Sequence, residues 1–314
     1  MTGERPAERR LTVAVLGPGG VGGLLAGLLA RAGHRVICLA GEDTVRVLRA
    51  EGVRVRSAEF GDFTAPVEAD GELREETYAG VDVDACLIAV KHTALKAALD
   101  RVPPRALGDG LVVPFLNGVE HPALLRARYG SARVAPAVIR VESTRVAPGV
   151  IEHGSPFAET ELTGATVPRE RLDALAAALT AAGPETEVRE DEAATLWAKM
   201  SFLAPFALLT TRYGVPLGDI RTRHREELTA LVEETAAVSR ASGGPADPGH
   251  ALARYDAFPP GTKSSMQRDA EAGRPLELDA IGHGLLRAAD RHGVPVPVAK
   301  ELVGHLSGTG GTGA

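Results

Sequence analysis

Three glycines near the start of the chain have the spacing of a phosphate-binding turn. Gly17, Gly19 and Gly22 follow an apolar run that predicts a buried strand, and leucines at helical spacing come after them. In such a unit the first glycine allows the turn, the second lets the backbone approach a pyrophosphate, and the third lets the helix pack on the strand. The segment Gly17-Pro18-Gly19-Gly20-Val21-Gly22 therefore predicts a dinucleotide site. The alternative is a tight turn in a sheet protein that binds no such ligand.

A single charged side chain interrupts the most apolar stretch of the sequence. Between Thr195 and Thr211 only Lys199 carries a charge. Burying a lone ammonium group is costly, so this lysine reaches water, pairs with a carboxylate or takes part in chemistry. A half-buried ammonium beside a carboxylate suits a proton donor that works near neutral pH. The alternative is a lysine whose stem covers apolar surface while its head stays in water.

Two further polar sites have both a chemical and a structural interpretation. Glu277 is expected in the first turn of a helix opened by Pro275. A carboxylate there either takes part in chemistry or stabilises the helix dipole. Ser264 and Ser265 lie upstream, and their hydroxyl groups either hold a substrate carboxylate or cap a helix.

Three polar residues come directly after predicted strands, where open α/β sheets bind their ligands. Lys91 either neutralises a phosphate or lies exposed, and Asn117 either lines a site or forms a turn with Gly118. Glu42 comes 20 residues after Gly22. An acidic residue at this distance typically binds the adenosine ribose and favours NAD over NADP. A solvated loop carboxylate is the alternative.

These residues have to be positioned by two kinds of structure. Strands and helices alternate up to about residue 190, with short, partly antiparallel strands added from Val134 onward. After Asp191 only helical patterns remain, which implies a separate helical domain. The sequence therefore predicts an α/β dinucleotide-binding domain over residues 1–190. An all-α domain follows over residues 191–314, with a disordered tail from Ser307.

Composition argues against several classes of protein and site. The 314 residues are 44% hydrophobic, which is enough to bury sizeable cores, and the net charge is −6. No basic run is interleaved with aromatic residues, so a nucleic-acid partner is not expected. We also expect no signal peptide, no membrane span and no metal site. Cys38 and Cys86 fall in predicted buried strands, which fits a reducing cytoplasm.

Taken together, six segments resemble the ketopantoate reductase family. They are Gly17–Gly22, Val90–Lys91, Leu116–Val119, Leu196–Met200, Lys263–Asp269 and Gly273–Ile281. Their order and spacing are far more specific than the glycine turn alone. The resemblance covers most of the chain. It implies a Rossmann-type domain followed by a helical domain, in a cytoplasmic enzyme for which a homodimer is left open.

The resemblance also implies a role for five side chains. Lys199 matches the general-acid lysine of the family, and Glu277 matches the carboxylate that works with it. Asn117 matches the asparagine that lines the cofactor and substrate site. Lys91 matches the lysine near the nicotinamide, and Ser265 matches the serine that helps to hold the substrate carboxylate.

Two departures from the family pattern bear on substrate and cofactor. Where the family has asparagines four and eight residues after its lysine, this chain has Leu203 and Ala207. Losing two amides changes which substrate groups are satisfied, and this discriminates strongly between substrates. Members that use NADP place an arginine where this chain has Gly41. Glu42 would repel a 2′-phosphate and Arg46 would attract one, so the family implies NADPH while the local chemistry favours NADH.

The sequence thus predicts an NAD(P)H-dependent reductase of a 2-oxo acid. The resemblance implies the reduction of ketopantoate to pantoate, a step of pantothenate and coenzyme A synthesis. One alternative is the same fold acting on a more apolar oxo acid. Another is a non-catalytic NAD(P) sensor, which the joint presence of Lys199, Glu277 and Ser265 argues against.

Overall fold

A computed structural model describes residues 9–78 and 80–309. The strands in this part of the chain are β1 Thr12–Leu16, β2 Arg35–Leu39, β3 Val53–Ser57, β4 Phe63–Ala65, β5 Glu68–Asp70, β6 Ala85–Ile88, β7 Leu111–Pro114, β8 Ala137–Arg140, β9 Ser143–Ala147, β10 Val150–His153, β11 Glu159–Leu162 and β12 Glu185–Val188. The α-helices are α1 Gly20–Arg31, α2 Glu42–Glu51, α3 Leu95–Ala98, α4 Pro104–Leu107, α5 His121–Tyr129, α6 Arg169–Ala182, α7 Glu192–Tyr213, α8 Leu217–Arg223, α9 Arg225–Ala241, α10 Pro248–Ala257, α11 Ser265–Glu271, α12 Gly284–His292 and α13 Pro297–Thr309. A π-helical turn, Asp279–His283, leads directly into α12.

The chain forms two compact units. The first contains the described residues up to Leu116 and continues with His121–Glu192. The second contains Asn117–Glu120 and the described residues from Ala193 onward. The boundary drawn at residue 190 from the sequence placed Asn117 in the first unit. The structure places it in the second unit, where side chains of this short segment bond to Glu277 and Arg287.

The centre of the first unit is a parallel sheet of five strands in the order β5-β2-β1-β6-β7. Successive side chains of a strand point into two different cores. In β1, Val13 and Val15 face one core, while Ala14 and Leu16 face the other. Both faces are therefore covered, as parallel sheets require. Pro114 is the last residue of β7, an edge strand, where a missing N–H is tolerated.

The two cysteines behave as small apolar residues of this sheet. Cys38 lies in β2 and Cys86 in β6, and both are completely buried. Burial raises the pKa of each thiol to about 12. Both therefore stay protonated and unreactive at neutral pH, which confirms the prediction that they lie in buried strands.

Two smaller sheets account for the changed pattern between residues 134 and 189. One has the order β4-β3-β10-β9 and the other β12-β11-β8, and each combines parallel with antiparallel pairs. Helix α1 packs against the first of them. A side chain at Gly27 would press on Val55, and one at Gly23 on Ile151. The prediction of added, partly antiparallel strands is confirmed.

The second unit is helical and has its own core, to which α7 contributes more buried residues than any other helix. Helix α7 is the one helix in the described part of the chain that is long and apolar enough to cross a bilayer by length and composition. Its apolar side chains nevertheless pack among helices: Met200, Leu208 and Leu209 are buried with residues of α9 and α12. These contacts identify α7 as a helix of a packed core.

The C-terminal region differs from the sequence prediction in two places. The helix expected from Pro275 begins with the π-helical turn at Asp279. The disorder expected from Ser307 was wrong for the first residues, since α13 continues to Thr309 and Leu306 packs into the core. Residues 310–314 lie outside the described part of the chain.

Candidate active site

The glycine turn between β1 and α1 has the backbone geometry that its spacing predicts. Gly17 has a φ of +85°, a conformation that favours glycine. Its N–H donates to the carbonyl oxygen of Leu39 at 3.1 Å, and a Cβ on it would lie 2.5 Å from Cγ1 of Val90. A side chain at Gly22 would collide with the carbonyl oxygen of Gly17. These two glycines are therefore required by the fold itself.

Gly19 differs from its neighbours because the space beside it is open. A Cβ there would find only the carbonyl oxygen of Gly17, at 4.0 Å. Gly19 is also the N-cap residue of α1, and it offers no side chain to cap the first N–H groups of the helix. Open space beside bare helix N–H groups fits a pyrophosphate that approaches the backbone closely. Of the other turn residues, Pro18 is buried and Val21 is half-buried.

The residues that follow β2 and β6 are exposed. Glu42 is the first residue of α2, with Gly41 as its N-cap. Arg46, one turn further on, pairs with Asp43 at 3.2 Å. Lys91 lies three residues after β6. These positions are accessible to a nucleotide, and the one arginine considered as a partner for a 2′-phosphate lies beside a carboxylate.

In the helical unit the structure joins two of the proposed site residues directly. The Nδ2 atom of Asn117 donates a hydrogen bond to Oε2 of Glu277 at 3.0 Å. The two residues are 160 positions apart in the sequence, and Glu277 is only 6% exposed. A buried carboxylate needs such donors, because an unsatisfied charge away from water is costly. This bond ties the Asn117–Glu120 segment to the helical unit.

Glu277 precedes the π-helical turn with which the expected helix begins. Leu278 is the N-cap of this turn, and the carbonyl oxygen of Glu277 accepts the N–H of Ile281 at 3.1 Å. The preceding loop is held by Arg274, whose Nε atom bonds to Oδ1 of Asp269 at 2.9 Å. The Asp269 side chain is only 3% exposed. The sequence analysis did not single out this pair, although both residues lie in segments that carry the family resemblance.

The two serines have separate environments. Ser264 is the N-cap of α11: its Oγ atom accepts the N–H of Gln267 at 3.0 Å and lies 2.8 Å from Oγ1 of Thr210. It is buried, whereas Ser265 is exposed at the first position of α11. The capping interpretation thus holds for Ser264. Ser265 is the serine that remains accessible to a substrate.

Lys199 lies half-buried on α7, in the same unit as Asn117, Glu277 and Ser265. Leu203 and Ala207 follow it at one-turn intervals, so the three residues share a face of the helix. Ala207 is 1% exposed and packs in the helical core, and Leu203 packs half-buried against that core. The side chains that replace the family's amides therefore belong to the packing of this unit.

Glu120 is a further ionisable residue that the sequence analysis missed. It accepts hydrogen bonds from Arg287 and Arg291. Burial alone would raise the pKa of the Glu120 carboxyl group, but the two guanidinium groups outweigh that effect and lower the pKa. Like Glu277, Glu120 is thus a carboxylate of the helical unit with identified donors. Within residues 9–78 and 80–309 there is no cluster of three or more residues able to hold a metal ion.

A Rossmann-type unit with an open glycine turn, joined to a helical unit with a lysine, an amide and a buried carboxylate, is typical of an NAD(P)-dependent oxidoreductase. Comparison with known families agrees. The family model described as ketopantoate reductase PanE/ApbA matches residues 13–163, and the model of its C-terminal domain matches residues 191–309. The chain belongs to the ketopantoate reductase family and is an oxidoreductase of this type.

Individual relatives cover nearly the whole chain. An uncharacterised oxidoreductase of Bacillus subtilis, YkpB, is 29% identical over 93% of this chain and 96% of its own length. A 2-dehydropantoate 2-reductase of Caulobacter vibrioides is 26% identical over 94% of this chain and 98% of its own. The crystal structure of a PanE/ApbA family ketopantoate reductase from Ralstonia eutropha has a TM-score of 0.84 and 30% identity, covering 95% of this chain and 97% of that one.

Proposed function

We propose that this protein reduces a 2-oxo acid to the corresponding 2-hydroxy acid with a reduced nicotinamide nucleotide. The observation that carries the proposal is the buried hydrogen bond between Asn117 and Glu277, because it assembles two proposed site residues from distant parts of the sequence. Relatives named 2-dehydropantoate 2-reductase make ketopantoate the first substrate to test. Under this proposal the first unit serves cofactor binding and the helical unit serves substrate binding and proton transfer.

Under this proposal, separate residues bind the cofactor and donate the proton. The glycine turn and the first N–H groups of α1 would hold the pyrophosphate, and Lys91 would lie towards the nicotinamide. When bound, the cofactor supplies a hydride to the carbonyl carbon. Lys199 would donate a proton to the carbonyl oxygen as negative charge develops there.

The neighbouring side chains would prepare the lysine and the substrate. The Glu277 carboxylate would attract the ammonium group of Lys199 and keep it protonated, since an opposite charge favours the charged form. The Asn117 amide fixes the orientation of this carboxylate by donating to Oε2. Asn117 and Ser265 would also position the substrate, with the exposed hydroxyl of Ser265 bound to its carboxylate. Correct placement of the reacting groups accounts for a large part of enzymatic acceleration.

The finer specificity follows from residues that depart from the family pattern. Leu203 offers an apolar surface on the lysine face of α7, which supports an oxo acid with a larger apolar group as the preferred substrate. Glu42 at the start of α2 would bind the ribose hydroxyls of NADH and repel the 2′-phosphate of NADPH. Arg46 lies beside Asp43, which weakens its attraction for a phosphate. We therefore infer a preference for NADH, in a cytoplasmic enzyme whose cysteines stay reduced.

The first experiment measures oxidation of NADH and NADPH in parallel, with ketopantoate and a panel of 2-oxo acids of increasing apolar size. Replacing the proposed acid, Lys199→Ala, is expected to lower kcat by roughly 10²–10⁴ and to leave the KM of the cofactor nearly unchanged. Lys300→Ala is the matched control, since Lys300 is an exposed lysine of the same unit that pairs with Asp290. Near-normal turnover by the Lys199 variant would remove this residue from the mechanism. Tight cofactor binding without turnover of any acid would favour a sensor.

A further inference from the structure

One guanidinium group contacts both of the short segments that carry the Asn117–Glu277 pair. Arg287 of α12 donates from Nε and Nη2 to Oε2 of Glu120, at 2.9 and 2.7 Å. Its Nη1 atom donates to Oδ1 of Asp279 at 2.9 Å, and its Nη2 atom to the carbonyl oxygen of Asp279 at 3.1 Å. Glu120 comes three residues after Asn117, and Asp279 comes two residues after Glu277. Arg287 therefore links the two segments close to their proposed site residues.

Glu120 is held from a second side as well. Its Oε1 atom accepts a hydrogen bond from Nη1 of Arg291 at 2.8 Å, so that both carboxylate oxygens are engaged. Arg287 and Arg291 are four residues apart and lie on the same face of α12. Two guanidinium groups on one rigid helix thus fix the end of the Asn117–Glu120 segment. Such charge-assisted bonds supply orientation as well as energy.

The backbone of the segment is also fitted to the π-helical turn. Gly118 has a φ of +88°, and a Cβ on it would lie 2.7 Å from the carbonyl oxygen of Ala280. Only glycine allows this close approach. A π-helical turn often marks a functional site, because it widens the helix locally. The segment is therefore held by a backbone contact at Gly118 and by its side chain at Glu120.

The same ion pairs are poorly suited to a purely stabilising role. The side chains of Glu120, Arg287 and Asp279 are 30, 44 and 57% exposed. Ion pairs with this exposure contribute only about 0–1 kcal/mol to the free energy of unfolding. They do, however, join the short segment that carries Asn117 to the turn that follows Glu277. Removing them is expected to disturb the site more than the fold.

We propose that Glu120 and Arg287 are positioning residues that set the geometry of the Asn117–Glu277 pair. Neither residue contacts the reacting atoms in this scheme. They act through Asn117 and Glu277, and the effect on catalysis rests on the proposed function. The effect on the position of Asn117 does not, since that position can be measured without substrate.

The sequence provides an unusually clean probe for this measurement. Asn117 is the only asparagine in the chain. Protein labelled with ¹⁵N-asparagine therefore gives one side-chain NH₂ pair in a ¹⁵N–¹H spectrum. The shifts of this pair report the hydrogen bond to Glu277 directly. Glu277→Gln serves as the positive control, because it replaces the acceptor itself.

The test compares Arg287→Met and Glu120→Gln with the control Arg225→Met. Arg225 also makes a bidentate pair with a carboxylate, Asp256, in the helical unit. We expect the Asn117 side-chain resonances to move or broaden in the first two variants and to stay in place in the control. We also expect kcat to fall roughly 10- to 100-fold in those two, with the KM of the cofactor unchanged. Arg287→Lys keeps the positive charge but loses the planar guanidinium group that donates to two carboxylates at once. It should therefore recover only part of the kcat that Arg287→Met loses.

The outcomes separate this proposal from the proposed function. Unchanged Asn117 resonances in Arg287→Met and Glu120→Gln would overturn the positioning role, whatever the activities. Shifted resonances together with wild-type kcat would overturn its catalytic relevance. If the wild-type protein turned over no oxo acid, the proposed function would fail, while the spectra would still decide whether Glu120 and Arg287 position Asn117. A fall in stability of all three variants alike would assign the ion pairs to the fold.

Discussion

The Glu277 carboxylate is almost completely buried, and it accepts a hydrogen bond from the side-chain amide of Asn117. The hydrogen bond from Asn117 is assisted by charge, because a carboxylate accepts more strongly than a carbonyl oxygen. Removing one partner of such a bond leaves a buried acceptor and costs roughly 1–3 kcal/mol. Asn117 and Glu277 are thus coupled in stability as well as in the proposed chemistry.

Changing Asn117 to aspartate tests this coupling. Asn117→Asp would place a second carboxylate at about hydrogen-bond distance from Glu277, and two adjacent negative charges disfavour one another. The folded variant should take up a proton that the unfolded chain releases, so its stability should fall as the pH rises from about 5 to 8. Urea unfolding at several pH values measures this dependence.

Asn117→Ala is the control, because it loses the donor without adding a charge. Its deficit in the free energy of unfolding relative to wild type should vary little with pH over the same range. At pH 8 the aspartate variant should be less stable than the alanine variant, and the difference should shrink towards pH 5. Parallel pH profiles for the two variants would contradict the proximity of position 117 to Glu277.

At the scale of elements, the glycines of the turn between β1 and α1 differ in what requires them. Packing within the protein requires some of them, and the proposed ligand accounts for another. Gly22 lies in the first turn of α1 against the carbonyl oxygen of Gly17, and Gly20 lies against that of Ser143. Backbone atoms cannot move aside as the end of a flexible side chain can. Gly19, with a φ of −81°, has neither a steric nor a conformational need to be glycine within the protein. We therefore propose that the cofactor, and not packing within the protein, requires glycine at this position.

Two alanine variants should accordingly give opposite results. Gly22→Ala is expected to destabilise the protein by about 1–3 kcal/mol, because it overpacks the turn against backbone. Gly19→Ala is expected to fold with nearly wild-type stability and to bind NADH at least tenfold more weakly. Thermal unfolding and cofactor titration measure the two effects. Wild-type affinity for both NADH and NADPH in the Gly19 variant would contradict the assignment of the pyrophosphate site.

The elements with strong periodic patterns were predictable from the sequence. The buried strands β1, β2, β6 and β7 follow directly from their apolar runs, and α7 contains the most apolar stretch of the sequence, Thr195–Thr211. The π-helical turn before α12 was not predictable, because Pro275 and the helical spacing that follows fit an ordinary helix start equally well. Helices α8 and α13 carry no such strong pattern, because they are short or rich in small and polar residues.

At the scale of the whole molecule, each unit has its own hydrophobic core. The apolar residues of the first unit form two clusters around its parallel sheet, and those of the helical unit form a third. The only tryptophan, Trp197, is 4% exposed in the third cluster. Its fluorescence therefore reports the helical unit, whereas circular dichroism reports both units.

Unfolding in urea is expected to give different midpoints by these two probes, since chains with separate cores often depart from two-state behaviour. A cofactor that binds the first unit should stabilise it by roughly 2.7 kcal/mol at a free concentration 100 times its Kd. The circular dichroism transition should then move further than the fluorescence transition when NADH is added. Coincident curves with and without cofactor would indicate that the two units unfold as one.

The long-range contacts of the helical unit lay beyond sequence reasoning for a simple reason. Asn117 and Glu277 are 160 residues apart, and Glu120 and Arg287 are 167 apart. Hydrophobic periodicity cannot predict either contact. Each forms only because the segment Asn117–Glu120, which lies between two parts of the first unit in the sequence, belongs to the helical unit. Asn117 and Glu277 were each identified through a motif, but the hydrogen bond between them was not. Glu120 lies in none of the six motif segments, so the sequence did not single it out.

The brief passage of the chain through the helical unit at Asn117–Glu120 limits how relatives can be recombined. Glu120 precedes the junction at residue 192, whereas Arg287 and Arg291 follow it. A chimaera joined at that junction would take the carboxylate from one parent and both guanidinium groups from the other. We therefore expect an active hybrid to need the segment Asn117–Glu120 from the same parent as its C-terminal helices. Two blocks of sequence, this segment and the region after residue 192, would then have to be exchanged together.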